Sequence, residues 1–145
     1  MKSGLRGKKS IMVIGYMLTA LLSSPSHAAS SSSLQLNETS NGKSYAVKVG
    51  AKVSVTLGSM FWNAALPKAG GAFIWVGAPV AQPILPGAGA PPGCRMTGMG
   101  CGTQTWNLVA KKKGIYTFNA SRSSCGEAKR CTGNQGIFKL TLRAG

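Results

Sequence analysis

The sequence predicts an all-β domain, an antiparallel sandwich of about seven short strands, and three observations lead to it. Apolar residues alternate with polar ones in runs of three to five residues. Turn residues such as Gly50, Gly77 and Gly114 separate those runs. After residue 28 no segment sustains the 3.6-residue apolar period of an amphipathic helix. The immunoglobulin-like arrangement is the first choice, and a small closed barrel is the second.

The chain opens with a leader. Lys2, Arg6, Lys8 and Lys9 form a positive segment, Ile11 to Leu22 is apolar, and Ser23-Ser24-Pro25-Ser26-His27-Ala28-Ala29 supplies small residues. Ser26 and Ala28 fit the third and first positions before a cleavage point, which places the cut after Ala28. A membrane-spanning helix needs about 20 apolar residues, whereas this run turns polar after roughly 12. The division that follows is a signal peptide at 1–28, a Ser-rich spacer at 29–33 and one sandwich domain at 34–145. No cysteine lies beside the cut, as a bacterial lipoprotein would require, and no second apolar stretch is long enough to span a membrane. The expected location is periplasmic or extracellular.

The strands follow in order. Leu34 and Leu36 alternate with polar neighbours. Tyr45, Val47 and Val49 share a face, Gly50-Ala51 turns the chain, and Val53, Val55 and Leu57 repeat the pattern, so these two runs read as a hairpin. Ala72 to Val76 is the next strand, with Phe73 and Trp75 on one side. Residues 77–93 are rich in Pro, Gly and Ala and read as a long surface loop with polyproline character. Its Gly87-Ala88-Gly89 precedes no helix and is no phosphate loop. Trp106, Leu108 and Ala110 form the following face, Lys111-Lys112-Lys113-Gly114 makes a basic turn, and Tyr116, Phe118 and Ala120 share the face after it. Phe138, Leu140 and Leu142 close the series. Asn37-Glu38-Thr39 and Asn119-Ala120-Ser121 match the glycosylation pattern, but Asn119 falls inside a strand and such short patterns arise by chance.

Composition bears on chemistry. Of 17 Lys and Arg residues, four lie in the leader; the rest face Glu38 and Glu127, the two acidic residues. The processed chain therefore has about 117 residues and a net charge of about +11, the size of one domain. The single histidine, His27, leaves with the leader, and there is no aspartate. A Ser-His-Asp triad, a Cys-His pair and a histidine metal site are thereby excluded. A two-carboxylate mechanism would need Glu38 and Glu127 to meet across the fold, and nothing in their local sequence brings them together. The expectation is a protein without catalytic activity and without a cofactor.

Cys94, Cys101, Cys125 and Cys131 are an even set in an exported domain, which reads as two disulfides. Three pairings are possible. The local scheme, Cys94 with Cys101 and Cys125 with Cys131, is preferred because each pair brackets a Gly-containing loop. Zinc is the rival reading; gaps of six and five residues do not match the usual ligand spacing, and no histidine assists.

Three features are candidate binding elements. Lys111–Lys113 on one turn, and Arg122, Lys129 and Arg130 around the last cysteine loop, would attract an anionic surface or polymer. No RNA-recognition motif or interleaved aromatics accompany them, so no specific nucleic acid is implied. Met60-Phe61-Trp62-Asn63 follows directly on a strand, where two large aromatics either plug the end of the sandwich or stand out as an anchor. Gly98-Met99-Gly100-Cys101-Gly102-Thr103 and the 125–131 loop combine glycines with cysteines, allowing close backbone approach and preorganisation.

With this pattern laid out, the chain resembles the chagasin family of cysteine-peptidase inhibitors. Gly102-Thr103 through Trp106, Ala110, Gly114, Ile115-Tyr116-Thr117-Phe118 to Arg122 is similar to that family's strand-turn-strand segment, and Val47-Lys48-Val49-Gly50 to Val53-Ser54-Val55-Thr56-Leu57 is similar to its N-terminal hairpin. The resemblance covers residues 34–142 and lies in strand pattern and turn glycines. It implies an immunoglobulin-like sandwich and inhibition of papain-like cysteine peptidases without cleavage of the inhibitor. Three loops at one end would enter the peptidase cleft: 58–63 with Met60, Phe61 and Trp62; 98–103 with Gly98, Gly100, Gly102 and Thr103; and 122–125 with Arg122. Gly58-Ser59-Met60-Phe61-Trp62 stands where the family has Asn-Pro-Thr-Thr-Gly, Cys101 interrupts the second loop, and Ser123-Ser124 replaces Pro-Trp after Arg122. The alternative is an exported module that uses the same rim to bind another ligand.

Overall fold

The structure, a computed structural model, describes residues 32–95, 100–126 and 129–145. The leader assigned to 1–28 and residues 29–31 of the Ser-rich spacer lie outside the described residues. Among the described residues nine strands build two sheets: β1 (Ser33–Leu36), β2 (Ser44–Val47), β3 (Lys52–Gly58), β4 (Asn63–Ala64), β5 (Phe73–Trp75), β6 (Val80–Pro83), β7 (Gly102–Ala110), β8 (Gly114–Ser121) and β9 (Ile137–Ala144). One sheet runs β1-β3-β7-β5, with β6 also pairing β7; the other runs β2-β9-β8-β4. The expected sandwich is the fold of this chain.

Alternation dictates which residues meet between the sheets. Val53, Val55 and Leu57 of β3 and Trp106, Leu108 and Ala110 of β7 turn inward from the first sheet, and Phe118, Phe138, Leu140 and Leu142 from the second; all are buried. Their outward neighbours make polar rungs. Ser54 Oγ donates to Asn107 Oδ1 at 2.7 Å, and the Thr56 and Thr105 hydroxyls lie 2.9 Å apart across the same antiparallel pair. An edge-to-face series crosses the core: Trp106 to Phe118 at 5.6 Å between ring centroids, and Phe118 to Phe138 at 6.0 Å.

The structure corrects two expectations. Residues 45–49 and 53–57 are not a hairpin, because β2 belongs to the second sheet and β3 to the first. A strand with one apolar face can bury it against a facing sheet as well as beside a neighbour, and Gly50-Ala51 lacks the Asn-Gly chemistry that would enforce the tight turn. Instead Gly50, at φ +90°, carries the chain across, with its N–H bonded to Ala110 O at 2.7 Å. This crossing also makes the pairs β1–β3 and β2–β9 parallel, since each is reached by a detour through the opposite sheet. All other strand pairs are antiparallel.

The second correction concerns the Pro-rich stretch. Residues 80–83 form β6, which is exposed throughout and shares the outer edge of β7 with β5. Proline is compatible with an edge strand, where one row of backbone groups faces away from the sheet, and Pro83 is the last residue of β6. The alternation signal is weak here because neither face of β6 is buried.

Two outcomes are expected. Trp106→Ala empties a fully buried indole site and should lower stability by about 3–5 kcal/mol, read by chemical denaturation. Burial raises the Tyr116 phenol above its ordinary value, with a smaller opposing influence from the Trp75 indole N–H, which reaches no full hydrogen-bond geometry. The fold then favours the protonated phenol. Stability should fall as pH rises past 10 toward the folded-state value, and Tyr116→Phe should flatten that decline in pH-dependent melting.

Candidate functional site

The strand directions gather three connections at one end of the sandwich. β3 ends there at Gly58 and β7 begins there at Gly102, in register so that Gly58 faces Thr103. β8 ends at Ser121, opposite Ile137, the first residue of β9. The segments 58–62, 100–103 and 122–125 therefore project from the same edge of the core.

The first two segments are bound to each other through backbone. Ser59 N–H donates to Gly102 O at 2.7 Å, and Met60 N–H donates to Gly100 O at 2.8 Å. Ser59 adopts φ 97°, a conformation unusual for a non-glycine residue, and its hydroxyl accepts from Phe61 N–H at 3.2 Å. Gly100 has φ +62°, and a Cβ at this position would fall 2.0 Å from Phe61 Cε2. Only a glycine lets the Phe61 ring lie directly on this backbone.

The two aromatics of the first loop divide the roles open to them. Trp62 turns inward, 6% exposed, and meets Phe138 edge-on at 6.5 Å. Phe61 is 40% exposed and sits on the rim. Trp62 Nε1–H donates to Gly58 O at 3.0 Å, closing the loop on itself.

Arg122 supplies the link to the third loop. Its guanidinium carbon lies 4.5 Å from the Trp62 ring centroid. Arg122 Nη1 donates to Gly58 O and Nε to Gln135 O, each at 3.4 Å. Gly58 O thus accepts from both Trp62 and Arg122. On the other side of the same residue, the Glu38 carboxylate accepts from Gly58 N–H. Glu38 sits in a short 3-10 turn (Glu38–Ser40) capped by Asn37, whose side chain accepts from Thr39 N–H at 3.0 Å.

The cysteines pair locally, Cys94 with Cys101 and Cys125 with Cys131. The first ties the second loop to the turn Pro92–Cys94, and the second joins the two stretches of chain that the Ser124–Arg130 bridge brings together. Gly136 lies beneath it, where a Cβ would fall 2.3 Å from Arg122 O and 3.0 Å from Cys131 Cβ.

Met60, Phe61, Trp62, Gly100, Gly102, Thr103 and Arg122 are therefore neighbours, whereas Gly98 lies outside the described residues. Sequence reasoning did not single out Glu38, Gln135 or Gly136 as members of this cluster. Glu38 carried one signal, as one of only two acidic side chains in a strongly basic chain. Among the described residues no group of three or more His, Cys, Asp or Glu side chains is placed to hold a metal ion. The rim offers backbone, Met60, the face of Phe61 and a braced guanidinium, which is the equipment of a recognition surface.

No protein-family model and no curated protein sequence matches the chain. Solved structures do. The chain is similar to the cysteine protease inhibitor EhICP2 from Entamoeba histolytica, at a TM-score of 0.53 and 11% identity, over 79% of this chain and 96% of that one. It is also similar to amebosin, with TM-score 0.40 and 12% identity over 77% and 97% of the two chains. A third likeness is to the inclusion body protein PixA from Burkholderia cenocepacia, with TM-score 0.35 and 14% identity over 77% and 80%. At these identities the likeness is one of fold. The sandwich that the resemblance implied is the one found.

Gly100→Ala should force the Phe61 ring off the second loop and strain a positive φ, at a cost of about 1–3 kcal/mol. Chemical denaturation reads the loss, and the Phe61 ring resonances should shift while core resonances of Leu140 and Leu142 stay in place.

Proposed function

We propose that this chain is a reversible proteinaceous inhibitor of papain-like cysteine peptidases, acting through the three loops at the Gly58 end of the sandwich. The observation that carries the reading is the backbone union of 58–62 with 100–102, braced by Arg122 over Trp62. A surface whose loops are already fixed loses little conformational entropy on docking, which is how a small rim gains affinity. The fold it shares with a cysteine protease inhibitor supports the same reading.

The geometry suits insertion without turnover. A peptidase cleaves a segment it can draw out as an extended strand; here Ser59 and Met60 have their N–H groups committed to Gly102 and Gly100 carbonyls. Of the second loop's glycines, Gly102 is buried against Gln82 and Pro83, and Gly100, half-buried under the Phe61 ring, leaves that ring and the adjoining backbone as the surface a cleft would meet. Phe61 is the apolar contact for the cleft wall, and Met60 beside it is half-buried and adaptable. The chain itself performs no chemistry in this account; it occludes.

Export fits the same account. Two disulfides belong to an oxidising compartment, and no helix among the described residues is long and apolar enough to cross a membrane.

Titration of papain and a cathepsin with the oxidised protein, following a fluorogenic substrate, should give saturable inhibition that persists in moderate salt. Phe61→Ala should weaken it by about 10- to 100-fold, because an aromatic anchor is removed from the contact. Arg122→Ala should weaken it too, through loosened loops. No inhibition at micromolar protein, with the fold intact by circular dichroism, would sink the reading and leave a binding module for another ligand on this scaffold.

A further inference from the structure

The end opposite the candidate loops has its own chemistry. β7 carries the chain from Gly102 to Ala110, about 30 Å at the rise of an extended strand, so the turn after it lies at the far pole. Three connections meet there. Gly50 N–H bonds to Ala110 O at 2.7 Å, and Lys111 N–H bonds to Ala72 O at 2.8 Å, which docks the segments 48–51 and 68–72 on the turn 111–113. A Cβ at Gly114 would lie 2.8 Å from Ala72 Cβ, so the turn and its neighbour are in close contact.

This pole gathers Lys48, Lys52, Lys68, Lys111, Lys112 and Lys113, all exposed. Among the described residues no acidic side chain accompanies them, since Glu38 bonds Gly58 at the other end. Exposed apolar side chains stand beside these cations and, for Leu66, on the flank of β8 that leads to them. Val49 is 44% exposed beside Lys48, Leu66 is 72% exposed two residues before Lys68, and Ile115 is 60% exposed directly after the Lys turn. Leu66, Lys68 and Ile115 line one shallow depression of about 400 Å³ at the flank of this end.

We infer that this lysine pole is a docking surface for an anionic lipid bilayer, independent of the peptidase-binding rim. A soluble polyanion needs cations alone. Cations interleaved with exposed aliphatic side chains match an interface in which ammonium groups meet lipid phosphates while apolar tips enter the acyl boundary. Lysine suits that geometry, since its long apolar stem follows the tip inward and its charge remains at the headgroups. A bilayer held here leaves the loops around Phe61 pointing away from it.

The test is co-sedimentation of the oxidised, exported protein with vesicles of phosphatidylcholine alone and with about one-third phosphatidylglycerol added. The expected result is binding to the anionic vesicles only. Lys111→Glu with Lys112→Glu and Lys113→Glu should weaken it by about 100-fold or more, taking roughly fivefold for each lysine lost. The same variant should inhibit papain as the parent protein does, or, if the parent does not inhibit, retain its melting curve, which separates this inference from the function proposed above. Leu66→Ser with Ile115→Ser should weaken vesicle binding while leaving retention on a heparin column unchanged. Three results would overturn the inference: no binding to anionic vesicles at low salt; equal loss from Lys129→Glu with Arg130→Glu at the other end; or heparin retention without vesicle binding, which would assign the pole to a soluble polyanion.

Discussion

Edge-to-face packing of four aromatic rings connects the centre of this sandwich to the loops at its Gly58 end, and most of the architecture is arranged around that line. Trp106 of the first sheet meets Phe118 of the second, Phe118 meets Phe138, and Phe138 meets Trp62 of the first loop. Each contact contributes more than its buried area because the electropositive ring edge meets an electronegative face. The consequence is mechanical. The first loop is anchored by an indole that belongs to the core, and its outer residue Phe61 is positioned by the inner one. Arg122 then covers Trp62 from the third loop, and its hydrogen bond to Gly58 O closes the circuit.

Glycine makes the rest of the rim possible. Gly100, Gly102 and Gly136 each occupy a point where a Cβ would collide: with Phe61, with Gln82 O at 2.3 Å, and with Arg122 O. These are close approaches between segments far apart in sequence, which is what converts three loops into one surface. The disulfides serve the same end more cheaply for a small domain. Cys94–Cys101 fixes the entry to the second loop and Cys125–Cys131 the third, so that neither depends on a core of its own. Glu38 has an unexpected use here as an acceptor for Gly58 N–H, a backbone group at the strand end that would otherwise require water.

The period-two alternation made the core legible, since Val53, Val55, Leu57, Trp106, Leu108, Phe118, Phe138, Leu140 and Leu142 all face inward as the pattern requires. Pairing was less legible. The run Tyr45–Val47–Val49 is as compatible with facing β3 across the core as with lying beside it, and periodicity reports which side is apolar, not what covers it. β6 left almost no trace because an edge strand with both faces exposed has no alternation to read. At the rim, the aromatic pair was visible and its division was not. Phe61 and Trp62 are adjacent, so one must point away from the core, but choosing between them required Phe138, a residue remote in sequence. Glu38 was counted as a charge and not seen as a cap, because the strand end it serves is twenty residues away.

The charge distribution separates the two ends in a way the net charge does not convey. A strongly basic chain tends to be read as sticky throughout, and self-repulsion would oppose the compact state if the cations were crowded everywhere. Here the lysines of the far pole stand on exposed turns, about 30 Å along β7 from the loop rim. At physiological ionic strength the screening length is about 8 Å, so the field of that pole is almost extinguished before it reaches Phe61. At the loop end, Lys129 and Arg130 stand exposed on the last cysteine loop, while Arg122 is held over Trp62 and committed to backbone carbonyls at Gly58 and Gln135. In the proposed inhibitor, contact at the rim rests on shape, aromatic surface and backbone, and lies beyond the screened field of the lysine pole. The domain can carry both surfaces because sheet length keeps them apart: strands of seven to nine residues are long enough for screening to finish the separation that the fold begins.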